Sequence, residues 1–154
     1  MPGYYTDVAN IALQVRKLGI TVPLLGGDGW DSDKLSKIGG AAIEGAYYAN
    51  HYAPDEQRPE VQEFIKRYQA EFKGEVPDGM AATGYYAALI LFDAMKRAPS
   101  LDGKVLAKAI AETKGFHGVT GAISIDKDRN ANKPCLIVQV KDGKTTFVTS
   151  YTPK

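Results

Sequence analysis

The hydrophobic and polar residues of this chain alternate between two periods, one typical of helices and one typical of strands. Apolar residues three and four positions apart predict helices over residues 6–18, 59–72 and 103–113. Start and stop residues predict a helix over 33–38, and a nearly all-apolar run predicts one over 81–97. Short apolar or alternating runs predict strands over residues 22–25, 46–50, 122–125, 136–140 and 146–151. Asp142-Gly143, between the last two runs, predicts a tight hairpin turn.

The order of these elements predicts an α/β fold. Strand, helix and strand follow one another over residues 22–50, which is typical of a parallel sheet with flanking helices and right-handed crossovers. The three helices between residues 59 and 113 leave this alternation, so we expect them to pack against a different sheet. The helix over residues 81–97 is apolar nearly all round its first half, which predicts deep burial.

The turn after the first predicted strand is the strongest candidate for a binding site. The run Val22-Pro23-Leu24-Leu25 ends at Gly26-Gly27-Asp28-Gly29-Trp30. In an open α/β sheet, ligands bind beyond the carboxyl ends of the strands. Glycines there allow close approach of backbone to a guest, and Asp28 would supply a negative charge suited to a cationic or zwitterionic solute. A turn-forming or helix-capping role for Asp28 is an equal alternative on these residues alone.

Composition and charge exclude several classes of function. The chain has 154 residues and a net charge of +1, and its 19 basic residues form no block, so we expect no nucleic-acid partner. The single cysteine, Cys135, precedes Leu136-Ile137-Val138, which predicts a buried, inert thiol.

Each candidate motif for metal binding or covalent chemistry lacks residues that it requires. Asp126-Lys127-Asp128 begins like a calcium loop, but Ala131 and Ile137 stand where glycine and the closing glutamate are needed. His51 and His117 lack partners at zinc-ligand spacing. The glycines at 26–29 lack the lysine of a phosphate loop, so a flavodoxin-like nucleotide-binding module is only an alternative. We therefore predict no cofactor, no metal and no nucleophilic catalytic site.

The order of several short motifs resembles the type I periplasmic solute-binding proteins. The resemblance is strongest to the leucine/isoleucine/valine-binding proteins of branched-chain amino-acid ABC transporters. The segments that carry it are Pro2-Gly3-Tyr4-Tyr5-Thr6-Asp7, Arg16-Lys17-Leu18-Gly19, Val22 to Trp30, Ile43-Glu44-Gly45-Ala46, Pro59-Glu60-Val61 with Phe64, Thr83-Gly84-Tyr85-Tyr86-Ala87-Ala88, Phe116-His117-Gly118-Val119-Thr120-Gly121, and Val140-Lys141-Asp142-Gly143-Lys144.

The resemblance implies a domain organisation. Family members have two α/β lobes that close on a ligand about a hinge. This chain resembles only their C-terminal portion, with segments 1–50 and 132–154 in the second lobe and 54–131 in the first. The chain would cross between lobes near residues 50–54 and 129–133.

The resemblance also implies a binding site and a setting. Tyr4 matches a ligand-contacting tyrosine, and Asp28 matches the acid that pairs with the ligand's ammonium, where leucine-binding members often have Glu. Trp30 and Met80 are weaker pocket candidates. The implied function is binding a leucine-, isoleucine- or valine-like amino acid for an ABC permease, without enzymatic activity. The implied location is periplasmic or extracytoplasmic, although Met1–Tyr5 lacks the features of a secretory signal.

A partial fold would behave differently from a whole one. The family's first-lobe loops that hold the ligand's carboxylate have no counterpart here, so we expect the chain alone to bind amino acids weakly or not at all. Uncovered sheet edges and helix faces predict self-association, or association with a missing N-terminal portion. The same fold also serves ligand-sensing lobes of regulatory receptors, which is the alternative function within this fold.

Overall fold

A computed structural model describes residues 1–152 and contains five α-helices and seven strands within that range. The helices are α1 (Tyr5–Lys17), α2 (Asp33–Gly39), α3 (Pro59–Glu71), α4 (Gly79–Arg97) and α5 (Gly103–Ala111). The strands are β1 (Leu25–Gly26), β2 (Tyr47–Asn50), β3 (Phe116–Gly118), β4 (Gly121–Ile125), β5 (Ala131–Asn132), β6 (Cys135–Lys141) and β7 (Lys144–Tyr151). The predicted segment 132–154 therefore ends with two residues, Pro153 and Lys154, that lie outside the described residues.

The α/β fold class is confirmed, with a larger sheet that is mixed rather than parallel. Its strand order is β1-β2-β6-β7. Only β1 and β2 pair in parallel, with Leu25 opposite Tyr47, whereas β2–β6 and β6–β7 are antiparallel. The β6–β7 pair follows from the predicted hairpin, in which Asp142 and Gly143 both have positive φ and turn the chain back beside β6.

One hydrophobic core lies under this sheet and is built from both ends of the chain. Alternation along β6 directs Leu136, Val138 and Val140 to the inner face, where all three are buried. α1 adds Val8, Ala9 and Ala12 from one face of the helix. The remaining members of this core are Leu24, Trp30, Leu35, Ala42, Ile43, Ala46, Tyr48 and Ala53.

A second core lies among α3, α4 and a smaller sheet of order β3-β4-β5. Its members are Tyr52, Val61, Phe64, Ile65, Ala82, Tyr86, Val119 and Ile123. Tyr52 belongs to this core while its neighbour Ala53 belongs to the first, so the chain passes from one core to the other there. The assignment of these two parts to the second and first lobes stays a prediction.

Two boundaries differ from the sequence prediction for local reasons. The strand predicted over residues 22–25 contributes only Leu25 and Gly26 to the sheet. The guanidinium of Arg16 donates hydrogen bonds to the carbonyl oxygens of Ile20 and Val22 at 2.7 and 2.9 Å. These bonds hold the segment against α1 rather than in the sheet. Strands β3 and β5 were not predicted, because strands of three and two residues are too short to show an alternation of apolar and polar residues.

The prediction of a buried Cys135 is wrong. Cys135 is exposed at the start of β6. Side chains alternate between the two faces of a strand, and Leu136 takes the inner face, so its neighbour Cys135 points outward. The apolar run Leu136-Ile137-Val138 predicted the strand correctly, but it did not show which residues of the strand face the core.

The deep burial predicted for the helix over residues 81–97 is also wrong for much of its surface. In α4, Ala82, Tyr86 and Ala94 are buried, whereas Leu91 and Phe92 are 39% and 54% exposed. An apolar face of α4 is therefore open to solvent. Within residues 1–152, no helix is both long enough and apolar enough to cross a membrane.

Substituting Gly26 should destabilise the fold. A Cβ at this position would lie 2.0 Å from Cε2 of Trp30, whose ring is fully buried and has no room to withdraw. We expect Gly26→Ala to lower the free energy of unfolding by about 1–3 kcal/mol, measured by urea denaturation. Gly27→Ala is the matched control, since a Cβ there meets nothing within 4 Å. Equal stability of the two variants would contradict this account.

Candidate functional site

The loop that follows β1 is shaped by packing beneath it. After Gly26, residues Asp28–Trp30 form one turn of 3-10 helix, closed by a hydrogen bond from the Trp30 N–H to the Gly27 carbonyl at 3.1 Å. The indole of Trp30 fills the space that a side chain at Gly26 would occupy. The turn therefore rests on a fixed aromatic base and presents Asp28 outward.

Tyr4 stands beside this loop at the start of α1. It is the residue before the first helical position and its side chain is 70% exposed. A Cβ at Gly29 would lie 3.2 Å from Cδ1 of Tyr4, so the absence of a side chain at Gly29 lets the phenol ring lie close to the loop. Tyr4 and Asp28 line the same concavity of about 330 Å³, together with Pro2, Gly3, Gly27 and Gly29.

Asp28 is the charged group of this concavity, and it has a partner that the sequence did not indicate. The Asp28 side chain is 52% exposed, and its Oδ2 lies 3.0 Å from Nε2 of His51. His51 follows β2 directly, in the predicted crossing near residues 50–54. Its other ring nitrogen, Nδ1, lies 2.9 Å from Nζ of Lys133, in the predicted crossing near residues 129–133.

These two residues were missed as site residues because only tertiary structure brings them to the loop. His51 and Lys133 are 82 positions apart in sequence. The one available signal was that each lies in a segment where the predicted α/β pattern breaks. Burial lowers the pKa of the Lys133 ammonium, while the Cys135 thiol and the Asp28 carboxylate act in the opposite direction.

A second carboxylate, Asp31, ties the loop to the other core. The backbone N–H of Gly79, at the start of α4, donates to Oδ2 of Asp31 at 2.5 Å. The Tyr48 hydroxyl donates to Oδ1 at 3.0 Å and lies 2.6 Å from Oγ1 of Thr145. Burial raises the pKa of Asp31, and the hydrogen bonds from Gly79 and Tyr48 partly oppose this shift.

The two weaker pocket candidates do not line the concavity. Trp30 has no exposed surface, because it packs under Gly26 and lies with its ring centroid 6.1 Å from that of Tyr48. Its position makes it a support of the loop rather than a contact surface. Met80 is 48% exposed in the first turn of α4, next to the Gly79 amide that Asp31 holds.

A larger cavity of about 490 Å³ is lined by Asp31 but not by Tyr4 or Asp28. It includes the side chains of Asp31, Asp33, Asp55 and Asp78 and that of Lys144. Within residues 1–152, no three His, Cys, Asp or Glu side chains converge in a way that could hold a metal ion. The Asp126 carboxylate, in the loop that begins like a calcium site, accepts the backbone N–H groups of Asp128 and Asn130, both at 2.8 Å.

The arrangement can recognise a small solute that carries a positive charge. A half-exposed carboxylate faces a concavity, a phenol forms one wall, and three glycines bring the backbone close. A carboxylate that meets an ammonium makes a charge-assisted hydrogen bond, which is stronger than a neutral one. A tyrosine ring can cover an aliphatic group while its hydroxyl still donates.

Comparison with known proteins agrees with this fold. Residues 3–145 match the model of a periplasmic binding protein family, and the chain belongs to that family. A leucine-binding protein from Thermotoga maritima superposes with a TM-score of 0.90 at 37% identity, over 99% of this chain and 43% of that structure.

Two further relatives give the same result. A branched-chain amino-acid transporter's substrate-binding protein from Streptococcus pneumoniae, solved with isoleucine, has a TM-score of 0.86 and 28% identity, over 99% of this chain and 43% of that one. A Leu/Ile/Val-binding protein homologue of Brucella suis is 28% identical over 95% of this chain and 40% of its own length. The chain thus spans less than half the length of the relatives it matches. Its resemblance to the leucine/isoleucine/valine-binding group is confirmed.

The pH dependence of stability should reveal the burial of Asp31. The pKa of Asp31 is raised in the folded state, so the folded state favours the neutral acid. This stabilisation is present below the unfolded-state pKa of about 3.9 and is lost as pH rises through the folded-state pKa. Asn at this position can accept the Gly79 N–H but does not titrate. We expect Asp31→Asn to gain stability relative to wild type as pH rises from about 3 to about 7, measured by urea denaturation.

Asp33 provides a control of opposite sign. Its pKa is lowered by the hydrogen bond from Lys37, so its contribution is present above the unfolded pKa and is lost as pH falls. Asp33→Asn should therefore lose stability relative to wild type as pH rises over the same interval. Parallel curves for both variants would contradict the assignment for Asp31.

Proposed function

We propose that this chain is part of a solute-binding protein that captures a branched-chain or similar small amino acid for an ABC importer. The observation that carries the proposal is the shared concavity of Tyr4 and Asp28 at the end of β1. Family membership and the similarity to proteins whose names state leucine or isoleucine binding support it. Recognition of this kind requires no bond making, so we propose that the chain is not an enzyme.

Each candidate residue has a role in this proposal. Asp28 receives the ligand's ammonium through its carboxylate, which is 52% exposed and therefore reachable. Tyr4 covers the aliphatic part of the ligand, and its hydroxyl is free to donate. Met80, half-exposed beside the Gly79–Asp31 contact, is proposed as an apolar contact from α4. Trp30 supports the loop from below and is not proposed as a ligand contact.

The complete protein is proposed to have two lobes, with this chain supplying parts of both. Apart from Ala53, the first core and the four-stranded sheet come from segments 1–50 and 132–152, and the second core and the smaller sheet come from within residues 52–132. The partners of the ligand's carboxylate are proposed to lie in the part of the relatives that this chain does not match. Family membership supports an extracytoplasmic setting, with an ABC permease as the partner of the complete protein.

The nucleotide-binding alternative is not favoured. Gly26 lacks a side chain because the Trp30 indole occupies that space, so this glycine is required for packing and not for a phosphate cradle. The exposed Asp28 carboxylate in the same turn would repel phosphate. The first observation removes the reason to expect a phosphate cradle, and the second favours a solute with a positive group.

Removing the charge of Asp28 should weaken amino-acid binding. The test uses the complete two-lobe protein, because the chain alone would leave part of the ligand's hydrogen bonds unmade. In calorimetry with leucine, isoleucine and valine, Asp28→Asn should lower affinity about ten-fold or more, the value of a hydrogen bond to a charged group. Asp128→Asn makes the same charge change in the turn after β4 and should bind normally. Unchanged affinity in Asp28→Asn would refute the ammonium site.

The chain alone should self-associate. Phe92 and Leu91 on α4 and Phe147, Val148 and Tyr151 on the edge strand β7 are all exposed. Apolar side chains on a strand with one open edge and on an exposed helix face favour association. Light scattering should give a mass above the 16.7 kDa of one chain.

A pair of variants on α4 identifies the surface involved. Phe92→Lys should lower the average mass, because it places a charge on the exposed apolar face. Lys96→Ala, on the same helix, should leave the mass unchanged. A compact monomer in the wild-type chain would contradict the expectation of self-association.

A further inference from the structure

The imidazole of His51 lies between the candidate ligand-binding acid and a half-buried lysine. Nε2 of His51 is 3.0 Å from Oδ2 of Asp28, and Nδ1 is 2.9 Å from Nζ of Lys133. The His51 side chain is 28% exposed, and its backbone N–H donates to Oδ1 of Asn50 at 2.8 Å. Three segments that are remote in sequence thus meet at one ring.

The two contacts fix the direction of the hydrogen bonds. An ammonium has donors and no acceptor, so Lys133 donates and Nδ1 of His51 accepts. The ring proton then lies on Nε2, from which it is donated to the Asp28 carboxylate. Lys133 also donates to the carbonyl of Pro134 at 3.4 Å. The result is a chain of donation from Lys133 through neutral His51 to Asp28.

This chain of donation leaves one oxygen of Asp28 available. Oδ2 accepts from His51, whereas Oδ1 accepts no hydrogen bond from any residue within 1–152. A carboxylate held at one oxygen has less freedom to rotate, so its other oxygen is confined to a narrower range of positions. The hydrogen-bonded titratable neighbours of the ring in this part of the chain are Asp28 and Lys133, and the Cys135 thiol lies beyond Lys133.

We propose that His51 is a positioning residue for Asp28, oriented by Lys133, and that its protonation weakens amino-acid binding. The proposal rests on the proposed function, since it assigns Asp28 to the ligand's ammonium. Protonation places a hydrogen on Nδ1, which removes the acceptor for Lys133 and brings two positive groups within 2.9 Å. The imidazolium then forms an ion pair with Asp28 and competes with the ligand for the same carboxylate.

The test is the pH profile of leucine affinity in the complete protein. Between about pH 8 and about pH 5, the range in which histidines change charge, wild-type affinity should fall about five-fold, the value of a partly exposed ion pair. His51→Gln keeps a donor for Asp28 and an acceptor for Lys133, so it should bind almost normally at the higher pH and lose the fall. His117→Gln is the matched control, since His117 is exposed on β3, and it should retain the wild-type profile.

Lys133→Met tests the second contact. Removing the ammonium removes the donor to Nδ1, so the ring is no longer held in one tautomer. Nitrogen chemical shifts of the His51 ring, measured on the same protein at high pH, should show the proton on Nε2 in wild type. In Lys133→Met the population of the other tautomer should rise.

The outcomes separate this inference from the function on which it rests. If wild type binds no leucine, or if Asp28→Asn binds normally, the proposed function fails and this inference fails with it. If Asp28→Asn binds weakly but His51→Gln keeps the wild-type pH profile, the function stands and the positioning role of His51 is overturned. A wild-type His51 with its proton on Nδ1 would also overturn it.

Discussion

The carboxylate of Asp31 joins the two halves of this structure, and the geometry of the site depends on that junction. It accepts the Tyr48 hydroxyl, which belongs to the core under the four-stranded sheet, and the N–H of Gly79, which begins the main helix of the other core. Burial of a carboxylate is unfavourable unless hydrogen bonds compensate it. Because each partner comes from a different core, the bonds form together only when the two cores take this relative position.

The loop that presents Asp28 is held by a separate constraint, which is steric. Trp30 is enclosed and fills the space left by Gly26, so the single 3-10 turn between them has little freedom. Asp28 on that turn lines the same concavity as Tyr4, which can approach because Gly29 has no side chain. Packing below the loop and glycine within it thus produce a charged, open corner at the end of β1. Precise placement of a charge in this way favours specific recognition of a small solute.

The contacts of His51 and Lys133 connect this corner to the segments that join the two cores. In a protein whose lobes move about such segments, a change at the junction would alter the partners of Asp28 directly. Two other surfaces are open to solvent, namely the exposed apolar side chains of α4 and the outer edge of β7. The relatives are more than twice as long as this chain, and such surfaces are where further parts of a fold would pack.

The sequence by itself determined the type and order of most elements and the identity of the loop. Apolar periodicity, helix start and stop residues and an apolar run located the five helices that residues 1–152 form, and Asp142-Gly143 located the hairpin. The order of short motifs around Tyr4 and Asp28 was sufficient for the family. Tertiary structure decided what no local pattern encodes: the outward direction of Cys135, the burial of Trp30, and the meeting of His51 and Lys133 at Asp28. The physical reason is that burial and hydrogen-bond partners depend on residues distant in sequence, whereas helix and turn formation depends on neighbours.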